Sequence, residues 1–157
     1  MTGPIIRPAR PEEAAALSDL CFRSKAHWGY DAAFMARCRA ALAVSGEAIA
    51  AGRVFVAEGP KGRALGILKL GIEREDAAID LLFVEPAAMG LGIGRALWLH
   101  AVALARAAGC RRLTVLSDPY AAAFYQAMGA TDGGVAPSDS IPGRTLPVLV
   151  MDLTVLD

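Results

Sequence analysis

Ala78-Ile79-Asp80-Leu81-Leu82-Phe83-Val84-Glu85-Pro86, followed after three residues by Gly90-Leu91-Gly92-Ile93-Gly94-Arg95, is the stretch on which the reading of the fold turns. Ala78 to Val84 reads as a strand, mostly apolar and closed by proline. Gly92 to Ala108 reads as a helix, with Ile93, Leu97, Ala101 and Leu104 at helical spacing and Gly109 as its stop. Arg112 to Leu116 is again a strand. Strand, glycine turn, helix and strand predict a right-handed parallel crossover, the unit of an α/β fold.

Working outward from that unit, the upstream chain alternates between the two periods. Ile5 to Pro8 is a short opening strand, and Pro11, Glu12 and Glu13 start a helix through about Ser24. Lys25 to Tyr30 suits a loop, and Asp31 caps a second helix whose apolar side carries Phe34, Met35, Cys38 and Leu42. Val44 to Gly52 allows a helical turn. Val54 to Ala57 and Leu65 to Ile72 form a hairpin around Gly59-Pro60-Lys61-Gly62, and Glu73 to Asp76 is the next polar turn. Downstream, Asp118-Pro119 opens a helix through about Met128. After Gly133-Gly134 the pattern predicts a loop from Pro137 to Pro147 and a last strand from Val148 to Leu153. No internal repeat or linker interrupts the chain.

Bulk properties narrow the function. The chain has 157 residues, 16 basic and 16 acidic, and a formal net charge of zero, which disfavours phosphate-dominated binding to nucleic acid. The hydrophobic fraction is 55%, much of it alanine, and no window reaches the roughly 18 apolar residues of a membrane span. Met1-Thr2-Gly3-Pro4-Ile5-Ile6-Arg7-Pro8 has no signal core. Cys21, Cys38 and Cys110 fit no C-x-x-C spacing and read as reduced, packed thiols. A cytoplasmic protein without nucleic-acid or membrane partners is expected. His27 and His100 have no ligand cluster around them, so no metal is expected either.

Gly90, Gly92 and Gly94 lie between a strand and a helix N-terminus, where backbone N–H groups approach an anion and the helix dipole favours it. Phosphate or pyrophosphate is the natural ligand; the plain alternative is a ligand-free connection. A Walker loop would continue Gly-Lys-Ser/Thr, but Arg95-Ala96 follows Gly94. A dinucleotide G-x-G-x-x-G starting at Gly90 would need glycine at position 95. Neither a nucleoside triphosphate nor NAD fits.

Leu82-Phe83-Val84-Glu85-Pro86 and the glycine run resemble the acetyl-CoA motif of the GNAT superfamily of N-acetyltransferases, Arg/Gln-x-x-Gly-x-Gly/Ala. Gly92 and Gly94 take the glycine positions, and Met89 stands where the family has Arg or Gln. Asp118-Pro-Tyr-Ala121-Ala-Ala-Phe124-Tyr125-Gln-Ala-Met-Gly129-Ala130 is similar to the family's Asn-x-x-Ala-x-x-Phe-Tyr-x-x-x-Gly-Phe segment, with Asp118 for Asn and Ala130 for the aromatic. Ile6-Arg7-Pro8-Ala9 is similar to its first strand. The resemblance implies a single GNAT-like α/β domain over residues 1–157, with a mixed central sheet of six to seven strands and about four flanking helices.

It also implies acetyl-CoA as co-substrate, held by Leu82, Phe83, Val84, Met89, Gly90, Leu91, Gly92, Ile93, Gly94, Arg95, Asp118 and Ala121. The pantetheine arm would lie between splayed parallel strands ending at Val84 and near Leu116, and an N–H near Val84 would polarise the thioester. Tyr125 is the implied general acid: a phenol with pKa about 10 stays protonated at neutral pH and still serves a thiolate. The alternative is packing, for which helical phase makes Phe124 the better suited. Asp80, mid-strand, is a candidate base if burial raises its pKa; alternation instead aims it at solvent or an arginine. Glu85 reads as a loop carboxylate.

The implied acceptor is a primary amine of a small molecule. His27, Trp28 and Tyr30 would contact it, with Asp31 pairing its charge or merely capping a helix. Arg144, in the loop with Ser138 and Ser140, would bind a substrate carboxylate or stay solvated. The competing readings are a non-catalytic acetyl-CoA sensor and an enzyme acting on a protein or peptide amine. Family analogy suggests a homodimer.

Overall fold

The computed structural model describes residues 4–155. The first three residues of the N-terminal reading therefore lie outside the described residues. Seven strands form a mixed sheet: β1 (Ile5–Pro8), β2 (Val54–Glu58), β3 (Ala64–Glu73), β4 (Asp76–Val84), β5 (Arg112–Leu116), β6 (Thr131–Pro137) and β7 (Thr145–Asp152). The α-helices are α1 (Ala14–Ala26), α2 (Ala32–Cys38), α3 (Gly46–Ala50), α4 (Ile93–Ala107) and α5 (Ala122–Ala127). The strand order is β1-β2-β3-β4-β5-β7-β6. Two compact units share these elements. One runs to Lys69 and takes Leu81–Leu97; the other takes Leu70–Asp80 and the chain from Trp98.

In the first unit, β1 pairs antiparallel with β2 from Ile5↔Glu58 to Pro8↔Phe55, and β2 with β3 from Val54↔Lys69 to Glu58↔Ala64. Helix α1 buries Leu17, Leu20, Cys21 and Ser24, spaced i, i+3, i+4 and i+7, which is one helical stripe. Its lead-in is tied down by charge. Arg7 on β1 bridges Glu13, at 2.8 Å, and Glu58 on β2. The Arg7 hydrogen bond holds the Glu13 carboxyl below the usual carboxylate range, and Glu13 also accepts the Arg10 N–H at 2.8 Å. Short helices α2 and α3 start on side-chain caps: Asp31 accepts the Phe34 N–H at 2.8 Å and Ser45 the Ala48 N–H at 3.1 Å.

In the second unit, β4 pairs parallel with β5 from Asp76↔Arg112 to Ile79↔Val115. β4 itself runs on to Val84. β5 pairs antiparallel with β7, and β7 with β6. The chain after Ala130 differs from the sequence reading. Gly133 and Gly134 do not break the chain but sit inside β6, at a register shift between Asp132 and Val135. A Cβ on Gly133 would lie 2.7 Å from Val150 Cγ2, so only glycine lets β6 approach β7 there. β7 also begins at Thr145, three residues earlier than the apolar run suggests.

All three cysteines are buried and unbridged. Burial pushes the Cys21 thiol up to about 12. Among the described residues, no helix is long and apolar enough to cross a membrane.

Candidate functional site

The glycine turn is built by the end of β4. The Glu85 N–H donates to the Leu65 carbonyl at 2.8 Å, and a single 3-10 turn, Pro86–Ala88, carries the chain off the sheet. Met89 is extended, then Gly90 and Gly92 take φ of 82° and 83°, which side-chain-bearing residues rarely adopt. The Gly92 carbonyl accepts the Ala96 N–H at 3.1 Å, so α4 begins there. At both glycines a Cβ would meet nothing within 4 Å, and Leu91 between them is 69% exposed. The first turn of α4 has N–H groups with no acceptor inside the helix, at the positive end of its dipole. Open space and aligned donors fit an anionic group such as pyrophosphate. Leu82, Phe83 and Val84 are half-buried, Gly94 is half-buried in the first turn, and Arg95 is exposed beside it.

The tyrosine segment forms in the second unit. Asp118 accepts the Tyr120 N–H on its carboxylate at 3.0 Å and the Ala121 N–H on its carbonyl at 2.9 Å, opening the turn before α5. Tyr125 is 4% exposed, its ring 5.6 Å from that of Trp98. Burial first, and then the Asp118 carboxylate, push its pKa above the ordinary tyrosine range. Phe124, which helical phase favoured for packing, is only half-buried, so Tyr125 is the more deeply set of the pair.

Asp80 is exposed. It belongs to the alternating outward set of β4 with Asp76 and Ala78, opposite the buried Ala77, Ile79 and Leu81. Of the two placements that the sequence allows, the structure shows the outward one.

Glu85, a loop carboxylate by its sequence context, is only 8% exposed. Arg23, in the last turn of α1, donates to its Oε2 at 3.0 and 3.3 Å, and Arg63 to its Oε1 at 3.5 Å. These partners are 62 and 22 positions away in sequence, beyond any local signal.

On the α1–α2 connection, His27 and Trp28 are exposed and meet edge to face at 5.9 Å. Tyr30 stacks on Phe34 at 4.1 Å, with Lys25 Nζ 5.3 Å from its ring centre. The Asp31 carboxylate caps α2. Arg144 is half-buried in the β6–β7 loop, which is closed by Ser138 N–H to Arg144 O at 2.8 Å. The structure thus groups Leu82–Val84, the glycine turn, the α1–α2 connection and Glu85 in one unit. It groups Asp118, Ala121, Tyr125, Asp80 and Arg144 in the other. Among the described residues, no cluster of His, Cys, Asp and Glu is arranged to hold a metal ion.

Residues 12–130 match the family model described as Acetyltransferase (GNAT) family. No curated protein sequence matches the chain. A GCN5-related N-acetyltransferase from Rhodopseudomonas palustris is similar in structure, with TM-score 0.77, 24% identity and 97% of each chain covered. The PaiA N-acetyltransferase of Thermoplasma acidophilum, in complex with coenzyme A, gives TM-score 0.78 at 16% identity over 96% of this chain and 99% of that one. YncA of Salmonella typhimurium, solved with its cofactor acetyl-CoA, gives 0.68 at 21% identity over 97% and 95%.

Proposed function

The chain belongs to the acetyltransferase (GNAT) family and is an acyltransferase, and from that premise we propose that it moves the acetyl group of acetyl-CoA to a primary amine of a small molecule by direct attack. Residues 1–157 act as a single N-acetyltransferase domain in this reading, in the cytoplasm, without nucleic acid, membrane or metal. The observation that carries it is the turn at Gly90 and Gly92, whose left-handed backbone leaves open space at the N-terminus of α4. The neighbours that hold coenzyme A or acetyl-CoA support the choice of ligand.

Bound acetyl-CoA supplies the activated acetyl group. Met89 to Arg95 cradle its pyrophosphate, mainly through backbone N–H groups, and Met89 adds no long polar arm. Asp118 and Ala121 are the further coenzyme contacts of this reading. Leu82 to Val84 hold the pantetheine arm through their backbone, and an N–H near Val84 stabilises the charge that develops on the thioester oxygen. Asp80, on the exposed face of β4 and within water's reach, accepts the amine's proton directly or through one water. Tyr125 gives its phenolic proton to the departing thiolate; the upward push on its pKa keeps the phenol protonated before the transfer and makes the transfer itself less favourable, since a thiolate is the weaker base. His27, Trp28, Tyr30 and Arg144 receive the acceptor.

The test joins binding to turnover. Titration calorimetry with acetyl-CoA on Gly92→Val, with circular dichroism as the folding control, should show a loss of affinity of at least tenfold in a folded protein. Undiminished affinity removes the cradle. Thiol release from acetyl-CoA across amines, amino acids and peptides then identifies the acceptor, peptide-only turnover favouring the protein-modifying alternative.

A further inference from the structure

We propose that Arg23 and Arg63, held by the buried Glu85 carboxylate, recognise a carboxylate on the acceptor, so that the substrate is an amino acid rather than a simple amine or polyamine. The inference rests on the acetyl-transfer reading above and names the substrate class for it.

A carboxylate as buried as Glu85 is tolerated only when it is paired and hydrogen-bonded. Two guanidinium groups meet that need, one at 3.0 Å and one at 3.5 Å. Their side chains nevertheless stay 50% and 67% exposed. One negative charge faces two positive ones, so the cluster presents a surplus positive charge to solvent. Each guanidinium carries five N–H donors, and Glu85 engages only part of each set. Glu85 thus holds the Arg23 fork by two contacts and steadies that of Arg63 by one, leaving donors of both for a second carboxylate.

The stretch of chain that begins at Arg23 favours the same sign. Between positions 23 and 39 the chain carries Arg23, Lys25, Arg37 and Arg39 against a single acidic residue, Asp31. The Asp31 carboxylate is engaged in capping the Phe34 N–H at 2.8 Å. The whole chain has no net charge, so this basic excess is local. It repels a polyamine and attracts an anion. Position completes the argument. Arg23 lies in the last turn of α1, just before His27 and Trp28, while Glu85 directly follows Val84. The cluster therefore ties the connection read as the acceptor side to the strand end read as the acetyl side.

The experiment follows thiol release from acetyl-CoA with the common amino acids and, in parallel, their carboxamides. The amides have the less basic α-amine, so free-amine availability alone favours them. For the acceptor that turns over, kcat/KM should be at least tenfold higher for the acid than for its amide. Arg23→Lys combined with Arg63→Lys keeps both charges on Glu85 but removes the forks, and should lower that acid-to-amide ratio about tenfold, mainly through KM. Equal use of acid and amide overturns the proposal. So does a ratio that survives the double substitution, or one that falls instead in Arg144→Lys. Saturable acetyl-CoA binding with turnover of amines but of no amino acid overturns it while leaving the acetyl-transfer reading intact. Absence of acetyl-CoA binding overturns both.

Discussion

Asp80, in the middle of β4, and Glu85, just past its end, stand five positions apart, and the structure treats them in opposite ways. Asp80 belongs to the outward set of β4 and is open to solvent. Glu85, just past the strand, is buried and gripped by Arg23 and Arg63. Sequence context leaves Asp80 open, since it sits among Ile79, Leu81 and Leu82 yet alternates outward, and it points the wrong way only for Glu85, which precedes proline and reads as a loop carboxylate. Strand alternation decides which face a side chain takes. It does not reveal which distant residues will reach it. An exposed carboxylate on a strand face is reachable from solvent; a buried, doubly paired one is an anchor.

The sharpest way to break this contrast is Asp80→Asn. Turnover should fall about 100-fold, as for loss of a general base, with unfolding free energy within about 0.5 kcal/mol of the parent. A normal rate moves the base elsewhere, and a parallel loss of stability makes Asp80 structural. Glu85→Ala should behave oppositely, costing about 2 kcal/mol in urea unfolding as two arginines lose a shared partner. An unchanged midpoint would mean that the exposed guanidiniums are equally content in water.

A smaller effect separates the two arginines. Arg23→Gln removes two donors at 3.0 and 3.3 Å and should cost about 1 kcal/mol. Arg63→Gln removes a single donor at 3.5 Å and should cost under about 0.5 kcal/mol. Equal losses would show that the longer contact tightens in solution.

The smallest effects near neutrality come from buried groups with raised pKa. Folded Cys21 and Tyr125 keep protons that the unfolded chain releases above about pH 8.5 and 10 respectively. The unfolded state then binds fewer protons, so stability is full below those values and falls as pH rises through them. Glu13, held below its usual range, has the opposite sign. Its contribution is present above its unfolded pKa of about 4.3 and is lost on further acidification. Thermal melts of Tyr125→Phe between pH 7 and 11 should lose the last part of the alkaline decline. An unaltered decline would assign it to other groups.

Much of the fold was legible because the signals are local. The crossover, the Asp31 and Asp118 caps and the turn at Gly90 and Gly92 depend on residues within a few positions of one another. What was not legible depends on partners far away. Glu85 acquires its role from α1 and from the β2–β3 turn. Gly133 looks like a breaker, yet it serves β6 by making room for Val150. The assignment of Phe124 against Tyr125 failed for another reason: α5 is six residues long, too short for periodicity to fix which of two adjacent aromatics turns inward.

The buried cysteines bear on how this protein is observed. Cys21, Cys38 and Cys110 are all enclosed, and the Cys21 thiol is held far from ionisation. A disulfide reagent reacts with thiolates it can reach. In native buffer it should therefore colour with liberated coenzyme and stay nearly blind to the protein. Addition of urea should reverse that, making the same dye a titration of the opened chain at three equivalents. The chain thus carries its own internal standard, by which lost activity and lost structure can be told apart in a single cuvette.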